Sequence, residues 1–255
     1  MQFGRLKLTR CKYGWMLHSG PYIGNCFELY GQYSESEVQV LRAFIRPGNT
    51  CLDVGANIGD LTVPMSQIAG PTGRVFAIES HPDTYHVLGA NLALNGIENV
   101  RTFNRFVSNV DQDDTSGPWG QYAFTGERWK PTFMTIDSLG LDQCAFVKVD
   151  VDGKELAVLQ SAERTIKVCR PIVYFENDDQ GKSTDLLRYM LSLDYEIFFH
   201  PAPIFESDNF FGNPVNHWSP KNIISLMMLA IPREKSSSLN LSLRQVKHHT
   251  DWWAA

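Results

Sequence analysis

The chain lacks any long apolar run. Its longest, Ile223 to Ile231, is broken by Ser225 and falls short of the ~20 residues a membrane-spanning helix needs. The opening residues, Met1-Gln-Phe-Gly-Arg-Leu-Lys, carry no apolar leader segment. Close cysteine pairs are missing as well. The five cysteines, Cys11, Cys26, Cys51, Cys144 and Cys169, are odd in number and scattered, which argues against a zinc or dithiol site and for free thiols in a reducing compartment. The expectation is a soluble, cytoplasmic protein with no membrane span. Positive charge is not in excess: 23 Lys and Arg stand against 28 Asp and Glu, for a net charge of −5. No basic footprint exists for an extended nucleic acid, which is therefore not expected as a partner. Internal repeats are absent, and so are Ser-His-Asp, HExxH and P-loop patterns.

What is present is enough for one full core, with 43% hydrophobic residues in 255. The stretch that organises it is Cys51-Leu-Asp-Val-Gly-Ala-Asn-Ile-Gly-Asp60. A short apolar run ends in Asp53, breaks at Gly55, Asn57 and Gly59, and passes at once into a helix-patterned segment. Strand, tight turn and helix in that order mark the place where open α/β sheets bind nucleotides, because small residues let a ligand approach the backbone. A dinucleotide turn places a pyrophosphate here, and Asp53 would repel it. S-adenosylmethionine carries a sulfonium and an α-ammonium instead, so the charge suits this cofactor better. Asn57 replaces the commoner glycine, and Asn tolerates a left-handed backbone. Gly55, Ala56, Asn57 and Gly59 are the turn candidates for cofactor binding. Glu79, at the end of the next apolar run, is the candidate for a ribose diol, with Ser80 beside it.

In order along the chain, the strings LDVGANIGDLTVP, RVFAIESHP, NLALNGIENV, TIDSL, FVKVDVDGKE and RPIVYFEND resemble the FkbM family of S-adenosylmethionine-dependent methyltransferases, over about Tyr30 to Arg233. The family's acidic block has Glu where this chain has Asp152. The resemblance implies an α/β, Rossmann-like class I methyltransferase fold with a mostly parallel seven-stranded sheet and an antiparallel edge strand. It also implies methyl transfer to a hydroxyl of a sugar, glycan or other small metabolite, with the adenine ring near Val107 and Ser108. The expected division is an N-terminal arm and capping helix (1–48), a cofactor-binding domain (49–233) and a tail (234–255) that is disordered or packs on a subunit of a homo-oligomer.

Local signals fill in the rest. Ser34 and Glu37 form an S-x-x-E capping box for a helix through Ile45, and Tyr30 and Tyr33 before it are either lid residues or core. Val100 to Val107 reads as a third strand. Trp119, Tyr122 and Trp129, in the long connection from Asn109 to Lys130, are candidates for a substrate wall. Asp137 is expected to cap Ser138-Leu139, a helix is expected from about Gly153 to Val168, and Asp152 with Glu155 fits a second capping box. A further helix is expected from Asp185 to Leu193.

Tracing each strand to its carboxyl end collects Asp53, Glu79, Ser108, Asp150, Asp152, Glu176 and Asn177 on one rim. Two mechanisms fit such acids. In one, Asp150 or Glu176 is a general base, tuned by Lys148, which shares a strand face with Asp150. In the other, Asp150, Glu176 and Asn177 hold Mg²⁺, which acidifies the acceptor hydroxyl. His200 and His217 are further base candidates. The competing readings are a non-catalytic interaction subunit with the same fold, and an NAD-dependent oxidoreductase.

Overall fold

The computed structural model describes residues 2–109, 132–219, 224–236 and 241–253; the predicted wall residues Trp119, Tyr122 and Trp129 lie outside them. The strands are β1 (Gln2–Phe3), β2 (Leu6–Cys11), β3 (Gly14–His18), β4 (Thr50–Val54), β5 (Arg74–Glu79), β6 (Val100–Asn104), β7 (Phe106–Val107), β8 (Phe133–Met134), β9 (Phe146–Val149), β10 (Ile172–Glu176), β11 (Tyr195–Pro203) and β12 (Ile224–Pro232). The α-helices are α1 (Asn25–Tyr30), α2 (Glu35–Phe44), α3 (Thr62–Ala69), α4 (Pro82–Leu94), α5 (Glu155–Ser161), α6 (Glu163–Cys169), α7 (Gln180–Ser192) and α8 (Arg233–Ser236).

Seven strands form the main sheet in the order β11-β12-β10-β9-β4-β5-β6. Strands β10, β9, β4, β5 and β6 are mutually parallel, while β12 runs antiparallel between β10 and β11. The inner strands are apolar on both faces because helices cover both. Leu52, Val54, Val147, Val149, Val173 and Phe175 face the core shared with α5 and α7. Their neighbours Cys51, Phe146, Ile172 and Tyr174 face the core shared with α2 and α3. That alternation has a direct consequence for the rim. Asp53, Lys148, Asp150 and Glu176 continue the α2/α3 face, and Asn177 falls on the other.

A separate three-stranded sheet, β1-β2-β3, docks on α4. Two asparagines one helical turn apart do the docking. Asn91 accepts from Leu17 N at 2.6 Å and donates to Leu17 O at 2.9 Å, and Asn95 does the same for Trp15 at 2.8 and 2.7 Å. Their amides thus imitate a neighbouring strand's edge.

Several local expectations change. Ser34 sits at φ 42° and offers no side-chain cap; its hydroxyl instead donates to Glu37 Oε1 at 2.6 Å. The predicted third strand stops at Asn104, and Phe106–Val107 turns away to pair with Phe133–Met134. Asp137 caps a helix 27 residues later, accepting from Arg164 N and Thr165 N, both at 2.8 Å, while Thr135 caps its own short turn. The helix expected over 153–168 breaks at Ala162 into α5 and α6. The last predicted helix starts earlier, at Gln180, with Asp179 as its cap. Residues 241–253 pack on their own chain: Phe199 N donates to Arg244 O at 2.9 Å and Val246 N to Ile197 O at 2.8 Å, along the free edge of β11.

Candidate functional site

The turn after β4 is held open from several sides. Gly55 has φ 78°, Asn57 φ 47° and Gly59 φ 92°, all in the left-handed region that favours glycine and tolerates Asn. Gly55 N and Ala56 N donate to Ile78 O at 2.9 and 3.0 Å. A side chain at 55 has no room, since a Cβ there would lie 1.7 Å from Asp150 O. Glu79 braces the turn, accepting from Asn57 N at 2.9 Å and from His81 N at 2.8 Å. Asn104, where the third strand ends, donates to both Glu79 O and Ser80 O at 2.9 Å.

On the α2/α3 face the registers set up two rows. Asp53, Lys148 and Tyr174 lie side by side on β4, β9 and β10. One step further toward the rim stand Gly55, Asp150 and Glu176. Lys148, 3% exposed, ties the rows together. Its Nζ donates to Gly55 O at 2.8 Å and lies 3.4 Å from Asp53 and 3.6 Å from Asp150. Burial alone pushes this ammonium's pKa down, but the attraction of Asp53, Asp150, Asp60 and Glu37 outweighs it, and the net shift is upward. Lys148 is therefore a fixed cation and cannot serve as a base. Asp53 is fully enclosed, its Oδ2 accepting from Thr62 Oγ1 at 2.6 Å. It supports the turn from behind through Lys148 and has no surface to offer a ligand, contrary to a direct role in holding one.

Two carboxylates that were not assigned to the site from sequence join it. Glu37 is 2% exposed and has an unpartnered Oε2; Asp60 is half-buried with an enclosed, unpartnered Oδ1. Burial is the main cause that pushes both up to about 7. The signal for Glu37 was its spacing. It lies four residues before Leu41, on the apolar stripe of its helix, where an acid is costly unless something uses it. Tyr33 faces the same cluster, with Glu37, Asp60 and Asp150 around it, and burial raises its pKa.

Glu176 has its pKa raised by burial and by the carboxylate of Asp150, which is close enough to share a proton with it. The Asp150 side chain is 38% exposed, so this carboxyl pair faces the mouth. Asn177 does not join them. Its amide donates to Ser183 on α7 at 3.0 Å, across the sheet. Glu176 favours the protonated form and Asn177 points away, so the trio proposed for Mg²⁺ does not fit a metal. Among the described residues no group of three His, Cys, Asp or Glu side chains is arranged to hold one.

The remaining candidates separate. Val107 is buried and Ser108 half-buried, with Ser108 N donating to Met134 O at 3.1 Å. Asp152 is exposed at φ 51° and caps nothing; Glu155 accepts from Val151 N at 3.2 Å and Gly153 N at 3.0 Å. Tyr30 is a core residue, accepting from His217 N at 3.0 Å and donating to Val215 O at 3.2 Å. His200 pairs with Tyr174 OH at 2.8 Å behind the acid cluster, and burial lowers its pKa.

This acid cluster links stability to pH. Glu37 and Asp60 have folded pKa values above their ordinary 4.5 and 3.8, so between those values and about 7 the folded chain holds more protons than the unfolded one. Stability is then lost as pH rises through that window. The buried His18 and His200, both lowered by burial, act in the opposite sense near their ordinary value of 6.5 and drop out about one pH unit above it, whereas Glu176, also raised, extends the loss beyond pH 7. Without ligand, the thermal midpoint should fall from pH 6.5 to pH 8; a flat or rising midpoint would contradict the assignment.

A cationic cofactor fits these residues. The glycine turn leaves room for a close approach, Glu79 lies buried beside it with both oxygens accepting backbone N–H groups, and the acid cluster adds negative charge with orphaned oxygens. The family comparison agrees. The model of the methyltransferase FkbM domain matches residues 53–197, more than half of the chain. A methyltransferase FkbM structure from Methylobacillus flagellatus superposes with a TM-score of 0.50 at 18% identity, over 76% of this chain and 50% of that one, so the chain spans half of its length. A SAM-dependent O-methyltransferase from Thermotoga maritima gives a TM-score of 0.49 at 14% identity, over 89% and 77% of the two chains. The catalytic subunit of the tRNA (adenine(58)-N(1))-methyltransferase of Yarrowia lipolytica is 32% identical over 76 residues, which is 30% of this chain and 20% of that protein. By its family match and its sheet, the chain belongs to the methyltransferase FkbM family of S-adenosylmethionine-dependent, Rossmann-like methyltransferases.

Proposed function

We propose that the chain methylates a hydroxyl oxygen on a small molecule or glycan. The observation that carries this reading is the Asp150–Glu176 carboxyl pair at the mouth of the site, half-exposed on the Asp150 side, with burial and the neighbouring Asp150 raising the pKa of Glu176. When bound, S-adenosylmethionine supplies an electrophilic methyl group on a sulfonium. The chain's own task is to bring the acceptor oxygen in line and to take its proton. Asp150 is placed to accept that proton as the oxygen–carbon bond forms, with Glu176 sharing the charge; the electron pair of the broken carbon–sulfur bond stays on sulfur. Lys148 keeps the pair in position from below and moves no proton.

The acceptor side adjoins aromatic residues. Tyr33 packs in one cluster with Phe205 and Trp218, and Trp218 stacks on Tyr22 with ring centroids 6.0 Å apart. Such faces suit a sugar ring or a flat aromatic acceptor. The net charge of −5 favours either over an extended nucleic acid.

Calorimetric titration with S-adenosylmethionine, S-adenosylhomocysteine and NAD, each with Mg²⁺ and with EDTA, tests the reading. The first two should bind equally in both conditions and NAD should not. Screening of hydroxylated acceptors for methyl incorporation follows, with Asp150→Asn lowering the rate by about a hundredfold or more. A folded chain that binds neither sulfur compound would favour an interaction subunit, and tight NAD binding would favour an oxidoreductase.

A further inference from the structure

Gly31 to Ser34 link α1 to α2, and the link is pinned on both sides of Tyr33. Gly31 caps α1 at φ 67°, and its carbonyl accepts from Lys12 N at 2.8 Å. Gln32 is buried and accepts from Phe210 N at 2.9 Å. Ser34 is fully buried at φ 42° and ψ 59°, a conformation unfavourable for a residue other than glycine. Glu35, also buried, accepts from Tyr13 OH at 2.7 Å and pairs with Lys12 at 3.0 Å. Strained backbone of this kind persists only where its surroundings over-determine it. The side chain it holds in place is Tyr33, the one residue of the link that stays half-exposed.

Tyr33 stands between the two halves of the site. It packs against the cluster that holds Ala56 and Ile58 of the glycine turn and against the cluster joined by Phe205 and Trp218 of the aromatic face. Asp60 and Asp150 lie near its phenol. Its hydroxyl is uncommitted. Tyr13 OH is held by Glu35, Tyr30 OH by Val215 O and Tyr174 OH by His200. Tyr33 OH bonds no described residue, and it is not enclosed as the orphaned oxygens of Glu37 and Asp60 are. Burial and the neighbouring carboxylates raise its pKa, so at neutral pH it is a hydrogen-bond donor and not a base.

We propose that Tyr33 donates a hydrogen bond to the acceptor oxygen and thereby selects oxygen over nitrogen as the methylated atom, an assignment that rests on the functional reading above. An attacking hydroxyl oxygen has one proton and two lone pairs. The proton passes to Asp150, one lone pair forms the bond to the methyl carbon, and the other accepts from Tyr33. Three fixed directions at one oxygen leave it a single orientation, in line with the carbon–sulfur bond that breaks. Tyr33 keeps its own proton throughout. A neutral amine has only one lone pair, which the new bond consumes, and the Tyr33 donor is then left facing nothing that can accept it. A site built to hydrogen-bond a substrate group rejects the analogue that lacks it far better than it rejects a change of size.

The experiment compares the unmodified chain with Tyr33→Phe, which keeps the ring and its packing and removes only the hydroxyl. The acceptor probes are 2-aminophenol and methyl glucosaminide, each with a hydroxyl and an amine in one molecule, at pH 8.5, where the amines are largely neutral. Mass spectrometry of the products gives the ratio of O- to N-methylation, and calorimetry gives the affinity for S-adenosylmethionine. The unmodified chain should yield the O-methyl product in excess from at least one probe. Tyr33→Phe should lower kcat for O-methylation by about tenfold and the O-to-N ratio by at least about tenfold, with cofactor affinity changed by no more than about twofold. A purely structural residue would slow both products alike. An unchanged ratio, or a fall in cofactor affinity of about tenfold or more, overturns the assignment and leaves the functional reading intact. Predominant N-methylation by the unmodified, cofactor-binding chain, or methylation of neither probe, removes both.

Discussion

Replacing Lys148 with Met should leave a chain that is unfolded or barely folded at pH 8. The side chain is 3% exposed and is the cation that Asp53, Asp60, Asp150 and Glu37 share. Removing one partner of a buried ion pair costs about 3–5 kcal/mol, because the other charge stays behind without compensation. Here one substitution strands several carboxylates and also releases Gly55 O, its neighbour at 2.8 Å. Total stabilities are roughly 5–15 kcal/mol, so the loss is of the same order as the whole. The sign with pH is distinctive. Protonation removes the stranded charge, so the variant should be more stable at pH 5.5 than at pH 8, and a second substitution, Asp53→Asn, should recover part of the loss at pH 8. Urea unfolding followed by circular dichroism at both pH values measures this. A loss below about 1 kcal/mol at pH 8 would mean that the lysine is a peripheral charge.

Gly55→Ala should abolish cofactor binding. The backbone there has φ 78°, and the added Cβ would fall 1.7 Å from Asp150 O and 3.3 Å from Val151 Cγ1. Neither neighbour is the free end of a flexible side chain. The turn must leave β9, which breaks the Lys148–Gly55 link and displaces Asp150 from its place above the turn. Affinity for S-adenosylmethionine should fall by at least about a hundredfold, equivalent to ~3 kcal/mol, with a lower thermal midpoint. Gly89→Ala is the matching control. Gly89 lies inside α4, with nothing within 4 Å of an added Cβ, so it should stabilise by about 0.5–1 kcal/mol and leave binding unchanged. Near-normal binding by Gly55→Ala would show that the turn is not packed against β9 in solution.

The sheet was legible in the chain because its signal is local. Apolar runs ending in Asp53, Glu79, Asp150 and Glu176, each followed by a turn and a helical pattern, determine strand direction and put those ends on one rim. What was not legible depends on pairings between distant residues. Asp137 looked like the cap of the turn beside it, but its carboxylate serves α6, whose start lies far along the chain. Asp53 looked like a ligand contact, and only the register that sets it beside Lys148 shows that its charge is consumed internally. Asn177 follows Glu176 in sequence, yet the pleat sends the two to opposite faces, which dissolves the metal trio. Glu37 was concealed by a capping pattern that also fits S-x-x-E. A helix start and a buried acid write the same four letters, and the left-handed Ser34 distinguishes them only in three dimensions.

The last described residues bear on when the site becomes complete. Arg244 and Trp253 enclose Phe199 of β11, with the guanidinium 3.9 Å from its ring centre and the indole centroid 4.8 Å away. The Trp253 indole N–H then reaches Asn177 O at 2.7 Å, beside Glu176. One wall of the rim is thus anchored by a residue more than two hundred positions after Thr50, where β4 begins. During synthesis the turn, the lysine and the carboxyl pair all leave the ribosome well before this anchor does. A nascent chain that ends at α8 holds the turn, the lysine and the carboxyl pair without the Trp253–Asn177 link.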